Sequence, residues 1–353
     1  MTGRDREPES LTYVDAGVDT AAGEQAVERI KDHVRSTFRP EVIGDIGSFG
    51  GLFAFAGDRF GDPVLVASTD GVGTKSVVAR LAGRYGTIGI DCVAMSVDDI
   101  AANGAEPLFF LDYVSTGKVD PEMIDDIVAG VAEGCRQAGC ALLGGEMSEH
   151  AGVMEPGEFD LVGFAVGAVE RSRLLPSGVR SGDAVIGIAS GGLRCNGYSL
   201  ARRALLGGDG TGLDRPAWTG AQHSLADELL RPSLIYAPSM LRLRRDVDVH
   251  AFAHVTGGGI PANLARVLPD DCDAVVHRGA WKRPRIFAEI RAAGAVADEE
   301  MEHVFNLGLG MLAIVPAEAA PATLDALQAV GHEAWVVGEI VPGHGRVTMT
   351  DGR

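Results

Sequence analysis

The sequence predicts an α+β protein of two domains, each a mixed or antiparallel sheet covered by helices. Three observations predict it. A chain of 353 residues is too long for one ordinary core and suits two domains of roughly 150 residues each. Short apolar runs alternate with amphipathic stretches in both halves, the pattern of strands interleaved with helices. The 48 glycines follow no period, which suits tight turns and close backbone approaches rather than a linker.

The elements follow in order. Residues 1–12 read as a mobile tail. Residues 20–33 place Ala22, Ala26, Val27 and Ile30 at helical spacing. A glycine-rich loop, 44–51, leads into a strand expected over 52–56, and 64–68 is a second short strand. It runs directly into Thr69-Asp70-Gly71-Val72-Gly73-Thr74-Lys75. A helix is expected over 91–103, closed by Asn103-Gly104, with Pro107 barring a restart. Residues 108–113 are strand-like.

Asp120-Pro121 opens the clearest helix: Asp as N-cap, Pro at the first helical position, and Ile124, Ile127, Val128 and Val131 facing inward. Gly139 ends it. A buried strand over 140–143 is expected to stop at Gly144-Gly145-Glu146, and 159–169 is another. The turn-rich seam 176–183 precedes a strand at 184–189, so the boundary is placed there, giving domains 13–175 and 176–353. Residues 207–214 read as a flexible excursion.

Composition narrows the function. With 31 Lys and Arg against 49 Asp and Glu, the net charge of −18 repels phosphate backbones and argues against nucleic acid. A small anionic substrate would need local help from a metal, backbone amides or a few placed cations. The five cysteines form no CxxC pair, which disfavours a zinc site or disulfide framework and implies a reducing, cytoplasmic setting. The first residues lack an apolar signal core, and no run approaches the roughly 20 apolar residues of a membrane span.

Neither a GxxxxGK[ST] loop nor a GxGxxG after a strand is present. The 69–75 segment offers something else. Gly71 and Gly73 let amides approach an anion, Thr74 and Lys75 add donors, and Asp70 can hold Mg²⁺. A solvated turn is the alternative. Asp91, Asp98 and Asp99 share one expected helix, with Asp91 and Asp98 seven residues apart on one face, and Glu146 follows the Gly-Gly turn. Such carboxylates beside glycine loops suit a hard cation holding a polyphosphate. Taken alone, Asp98-Asp99 reads rather as a solvated helix face.

These segments, with others, resemble one family in order and spacing. They are the Tyr13–Asp19 run, Thr69–Lys75, Asp99-Ile100-Ala101-Ala102-Asn103-Gly104-Ala105-Glu106-Pro107 and Gly144-Gly145-Glu146. Asn196-Gly197-Tyr198-Ser199-Leu200, His254-Val255-Thr256-Gly257-Gly258-Gly259 and Phe305–Met311 continue the match. The family is phosphoribosylformylglycinamidine cyclo-ligase, or aminoimidazole ribonucleotide synthetase, and the resemblance runs from about residue 13 to 340. It implies that family's two-domain α+β fold and a homodimer, with ATP bound by the N-terminal domain near the dimer seam and a ribonucleotide substrate. ATP would phosphorylate the formamide oxygen, the amidine nitrogen would attack that carbon, and phosphate would leave as the ring closes. The resemblance assigns Asp70, Asp99 and Asp91 to Mg²⁺. It assigns Asp70, Gly71, Gly73, Thr74, Lys75, Asp91 and Glu146 to the nucleotide, and Arg194, Asn196 and His254 to catalysis. His254 could contact substrate or phosphate, or be structural.

Departures fall in the segments expected to face substrate. The family's His-Ser-Asn-Gly-Tyr-Ser appears as Arg194-Cys195-Asn196-Gly197-Tyr198-Ser199, and its Gly-Gly-Glu-Thr as Gly144-Gly145-Glu146-Met147. Its Pro-Thr-Arg-Ile-Tyr-X-Lys appears as Pro232-Ser233-Leu234-Ile235-Tyr236-Ala237-Pro238, which loses two cations. Arg194 stays charged and cannot act as a base, so on sequence it would neutralise phosphate. Three readings stand: a drifted cyclo-ligase, a paralogue activating another amide with ATP, and a nucleotide-binding subunit without turnover.

Overall fold

A computed structural model describes residues 20–46, 50–55, 59–207 and 210–351. The expected tail, the Tyr13–Asp19 segment, Gly47–Phe49, Ala56 and part of the 207–214 excursion lie outside them. The first helix, α1 (Thr20–Arg35), precedes a small antiparallel pair, β1 (Val42–Ile43) and β2 (Leu52–Phe53). The strand expected over 52–56 is thus two residues long within the described part. Then come β3 (Pro63–Gly71), α2 (Lys75–Ala82), α3 (Ile88–Ala102), β4 (Glu106–Thr116) and α4 (Pro121–Ala138). Two strands, β5 (Ala141–Glu149) and β6 (Phe159–Glu170), complete the first half.

The N-terminal sheet has the order β3-β6-β4-β5. Its pairs are antiparallel except β4 with β5, which run parallel and are joined across the sheet by α4. The start of α4 is fixed as the sequence requires: Asp120 accepts hydrogen bonds from the amides of Glu122 (3.0 Å) and Met123, and Gly139 closes the helix at φ 74°. α3 and α4 touch backbone to backbone. A methyl group on Gly89 would lie 2.1 Å from the Val131 amide nitrogen, so only glycine permits the approach. One sequence expectation fails here. β5 does not stop at Gly144 but runs through Gly144-Gly145-Glu146 to Glu149, paired along β4.

The second half contains β7 (Ala184–Ala189), α5 (Tyr198–Leu205), α6 (Leu225–Leu229), α7 (Ala237–Asp246), β8 (Ala251–His254) and α8 (Gly259–Ala265). It continues with β9 (Cys272–His277), α9 (Arg285–Gly294), α10 (Asp298–Val304), β10 (Leu309–Val315), α11 (Ala320–Ala329), β11 (Ala334–Pro342) and β12 (Val347–Thr350). Its sheet has the order β12-β9-β11-β7-β10-β8, antiparallel except for β12 with β9. Both sheets are mixed, as the sequence predicts.

α3 carries the molecule's centre. It covers β3, β4 and β6 on one side and meets α7 and β8 on the other. It is buried along nearly its whole length, and one hydrophobic core runs through both halves. The helix therefore brings its polar side chains to the seam between the sheets. Among the described residues no helix is long and apolar enough to cross a membrane.

Candidate active site

β3 delivers Ser68 and Asp70 to the sheet face under α3, two residues apart and so on one side of the strand. α3 brings Asp99 to them. The Asp99 carboxylate accepts from the Ser68 hydroxyl at 3.1 Å and from His254 Nδ1, on the last residue of β8, at 2.8 Å. Its side chain is 44% exposed, so the carboxylate stays open to solvent while one donor holds each oxygen, His254 on Oδ1 and Ser68 on Oδ2. Burial works against ionisation of Asp99, but the His254 and Ser68 hydrogen bonds prevail and keep its carboxyl below the ordinary range. Burial lifts the Asp70 carboxyl above that range against a 2.7 Å hydrogen bond from the Gly71 amide, and the Asp99 charge adds to the lift. Asp70 and Asp99 are the two carboxylates at this corner that could contribute to holding a divalent cation, with its other ligands coming from outside the protein.

The rest of the expected ligand set is arranged differently. Asp91 is fully buried, its Oδ2 2.6 Å from Lys75 Nζ and its Oδ1 accepting from the Ser233 amide (2.8 Å) and hydroxyl (2.6 Å). Lys75 also donates to the Arg231 carbonyl at 2.8 Å and the Arg194 carbonyl at 3.2 Å, so its ammonium is surrounded by protein oxygens. In this arrangement Asp91 and Lys75 are closed to an outside cation or anion, because each is buried on the other. Asp91 and Asp98 do share a face, but it is the buried one. Asp98 accepts from Arg194 Nη2 at 3.0 Å and from the Tyr236 (2.7 Å) and Ala237 (3.0 Å) amides at the start of α7.

Arg194 and His254 are also redirected. The Arg194 guanidinium is buried and committed to Asp98, the Leu234 carbonyl and His254, so it is not placed to neutralise substrate phosphate. Both nitrogens of His254 are engaged, Nδ1 by Asp99 and Nε2 by Arg194, which leaves it no free position for proton transfer. Glu146 lies apart from the corner. The cross-strand row Gly145–Asp112–Gly163–Asp70 puts Asp70 on one face, while Glu146 sits in the next row, with Tyr113 and Val162, on the opposite face. It is exposed there and accepts from the Met147 amide.

Gly73, at φ 55°, and Thr74 lead into α2, and Thr74 Oγ1 meets Ser199 Oγ at 3.1 Å. This contact ties the glycine loop to the Asn196–Leu200 segment, and a methyl on Gly257 would sit 3.7 Å from Asn196 Nδ2. The sequence reading missed Asp112. It is buried beside Gly145, where a methyl group would lie 2.2 Å from Asp112 Oδ1, and burial pushes its carboxyl up to about 7. A lone carboxylate inside the apolar run 108–113 was the available signal.

The comparisons with known proteins address this arrangement. The chain matches the family models described as AIR synthase related protein, N-terminal domain, over residues 56–169, and C-terminal domain, over 180–350. A phosphoribosylformylglycinamidine cyclo-ligase of Anaeromyxobacter sp. (strain Fw109-5) is 53% identical over 340 residues, covering 96% of this chain and 98% of that one. This chain belongs to the phosphoribosylformylglycinamidine cyclo-ligase family. The Symbiobacterium thermophilum cyclo-ligase is 51% identical over 347 residues, again covering 96% and 98%. Like other cyclo-ligases the chain is a ligase that forms a C–N bond.

Solved structures share the cyclo-ligase fold at low identity. Thiamine-monophosphate kinase from Stenotrophomonas maltophilia K279a aligns with a TM-score of 0.69 at 20% identity, over 91% of this chain and 95% of that one. Hydrogenase maturation protein HypE in complex with ATP aligns with a TM-score of 0.64 at 19% identity, over 92% and 91%.

Proposed function

We propose that this cyclo-ligase closes the aminoimidazole ring of purine biosynthesis at the corner formed by β3, α3 and β8. Formylglycinamidine ribonucleotide and ATP would give aminoimidazole ribonucleotide, ADP and phosphate. The γ-phosphoryl group moves to the formamide oxygen, the amidine nitrogen attacks that carbon, and phosphate leaves with the oxygen. The observation that carries the reading is the full-length identity of about half to named cyclo-ligases.

The chain's own residues supply position and charge rather than covalent chemistry. Asp70 and Asp99 would hold magnesium, which when bound neutralises charge on the transferred phosphoryl group. Two protein carboxylates are a normal complement for that ion, whose remaining ligands are phosphate oxygens and water. Gly71, Gly73 and Thr74 would present the phosphate-facing loop, and Ser199 meets it from the other half, while Asn196 lies against Gly257. Residues 13–175 would then carry nucleotide and dimer contacts, and 176–353 the ribonucleotide. The Arg194 guanidinium would itself make no substrate contact, since it is buried on Asp98, His254 and the Leu234 carbonyl.

The uncovered face of the N-terminal sheet supports association as a homodimer. Leu65, Phe164 and Tyr113 are 64%, 40% and 37% exposed there, an apolar strip that a second copy would cover. Light scattering should report twice the 36.8 kDa chain mass, and a monomer at working concentration would contradict it. Five buried, unpaired cysteines fit a reducing compartment such as the cytoplasm, and the net charge of −18 fits a partner other than nucleic acid. The test of function is direct. Purified protein with ATP, Mg²⁺ and formylglycinamidine ribonucleotide should form aminoimidazole ribonucleotide and ADP in equal amounts. ATP hydrolysis without product, or turnover below about a thousandth of a typical 10 s⁻¹, would overturn it.

A further inference from the structure

Arg194 occupies a left-handed backbone conformation, φ 63°, and sends its guanidinium under the seam against the Tyr236 ring at 4.8 Å. Its Nη1 donates to the Leu234 carbonyl at 3.1 Å. Its Nη2 has two hydrogens and two partners: Asp98 Oδ2 at 3.0 Å and His254 Nε2 at 3.0 Å. A guanidinium nitrogen can only donate. His254 Nε2 must therefore accept and carry no proton, so the ring proton resides on Nδ1, 2.8 Å from Asp99 Oδ1. Asp98, which also receives the Tyr236 and Ala237 amides, anchors the arginine that makes this choice.

We propose that Arg194 is a positioning residue for the reaction: it holds His254 as the neutral Nδ1–H tautomer, and that tautomer orients the Asp99 carboxylate toward magnesium-bound nucleotide. The proposal rests on the reading of Asp99 given above. Metal-binding groups are commonly oriented by outer hydrogen bonds of this kind. Here the outer donor is itself fixed by a buried arginine. Without Arg194, the ring is free to carry its proton on Nε2. A bare Nδ1 would then face the Asp99 oxygen, lone pair against lone pair, and the carboxylate would lose its inner support.

The test uses the full-length protein with ¹⁵N-labelled histidine. His254 is assigned among the nine histidines by the spectrum of His254→Asn. Wild type should show His254 as the neutral Nδ1–H form. An Nε2–H tautomer or an imidazolium there overturns the proposal, whatever any variant does. Arg194→Met should shift or average that signature. It should also weaken Mg-ATP binding, read by calorimetry, by about 10- to 100-fold, the usual loss when an outer support of a metal ligand is removed. The KM for the ribonucleotide should stay at its wild-type value. If Arg194→Met does not fold because it strands the Asp98 charge, Arg194→Met with Asp98→Asn removes both charges together and is held to the same expectations. Unchanged tautomer and unchanged Mg-ATP affinity in the folded variant overturn the proposal. A correct tautomer that is lost with Arg194, in a protein without ring-closing turnover, supports the Arg194 role and counts against the proposed function alone. The wrong tautomer in an active enzyme does the reverse.

Discussion

Helix α3 carries one residue type into two environments. Asp91 and Asp98 point into the dry seam, where Lys75 and Arg194 neutralise them and amides from the 233–237 stretch complete their hydrogen bonds. Asp99, one residue further and about 100° round the helix, reaches the half-open corner with Asp70. The seam carboxylates staple the C-terminal half to the helix. The corner carboxylates remain available to a ligand. Adjacent aspartates in sequence are therefore separated in function by helical phase alone, and substitutions at the two places should fail in different ways.

The largest effect is expected in the seam. Lys75→Met leaves Asp91 charged and buried without its partner, which should cost about 3–5 kcal/mol in denaturant unfolding. Replacing both, as Lys75→Met with Asp91→Leu, should recover much of the loss, because paired removal strands no charge. A Lys75→Met protein with the wild-type unfolding midpoint would break the distinction between seam and corner.

Asp112 sharpens the comparison with a carboxylate that has no cation partner among the described residues. Its folded pKa of about 7 lies above the unfolded value of about 3.9. The folded state then binds the extra proton, so the stability linked to Asp112 is complete below pH 4 and is lost as pH rises through about 7. Asp112→Asn removes this dependence. Thermal unfolding at pH 5 and pH 8 should show the variant gaining on wild type at the higher pH, and a constant difference would place the Asp112 charge elsewhere.

Much of this was legible in the sequence, for identifiable reasons. The caps of α4 at Asp120 and Gly139 are local, so the sequence marks both ends correctly. β5 was cut short because Gly144-Gly145 reads as a turn, whereas the absent side chain at 145 is what makes room for Asp112 inside a continuous strand. That Asp70 and Asp99 come together is legible because strand end, glycine loop and helix acid lie close in the chain. The partners of Lys75, Asp91, Arg194 and His254 are not legible, because each lies 16 to 155 residues away and no local pattern announces it. That Glu146 lies on the opposite sheet face from Asp70 is set by strand parity across three pairings, which the motif alone does not reveal.

The most direct measurement titrates Mg-ATP by calorimetry into wild type, Asp70→Asn and Asp99→Asn, each checked for wild-type thermal stability. The corner assignment predicts that removing either carboxylate charge weakens binding several-fold or more while the fold is retained. Unchanged Mg-ATP affinity in both folded variants would contradict it.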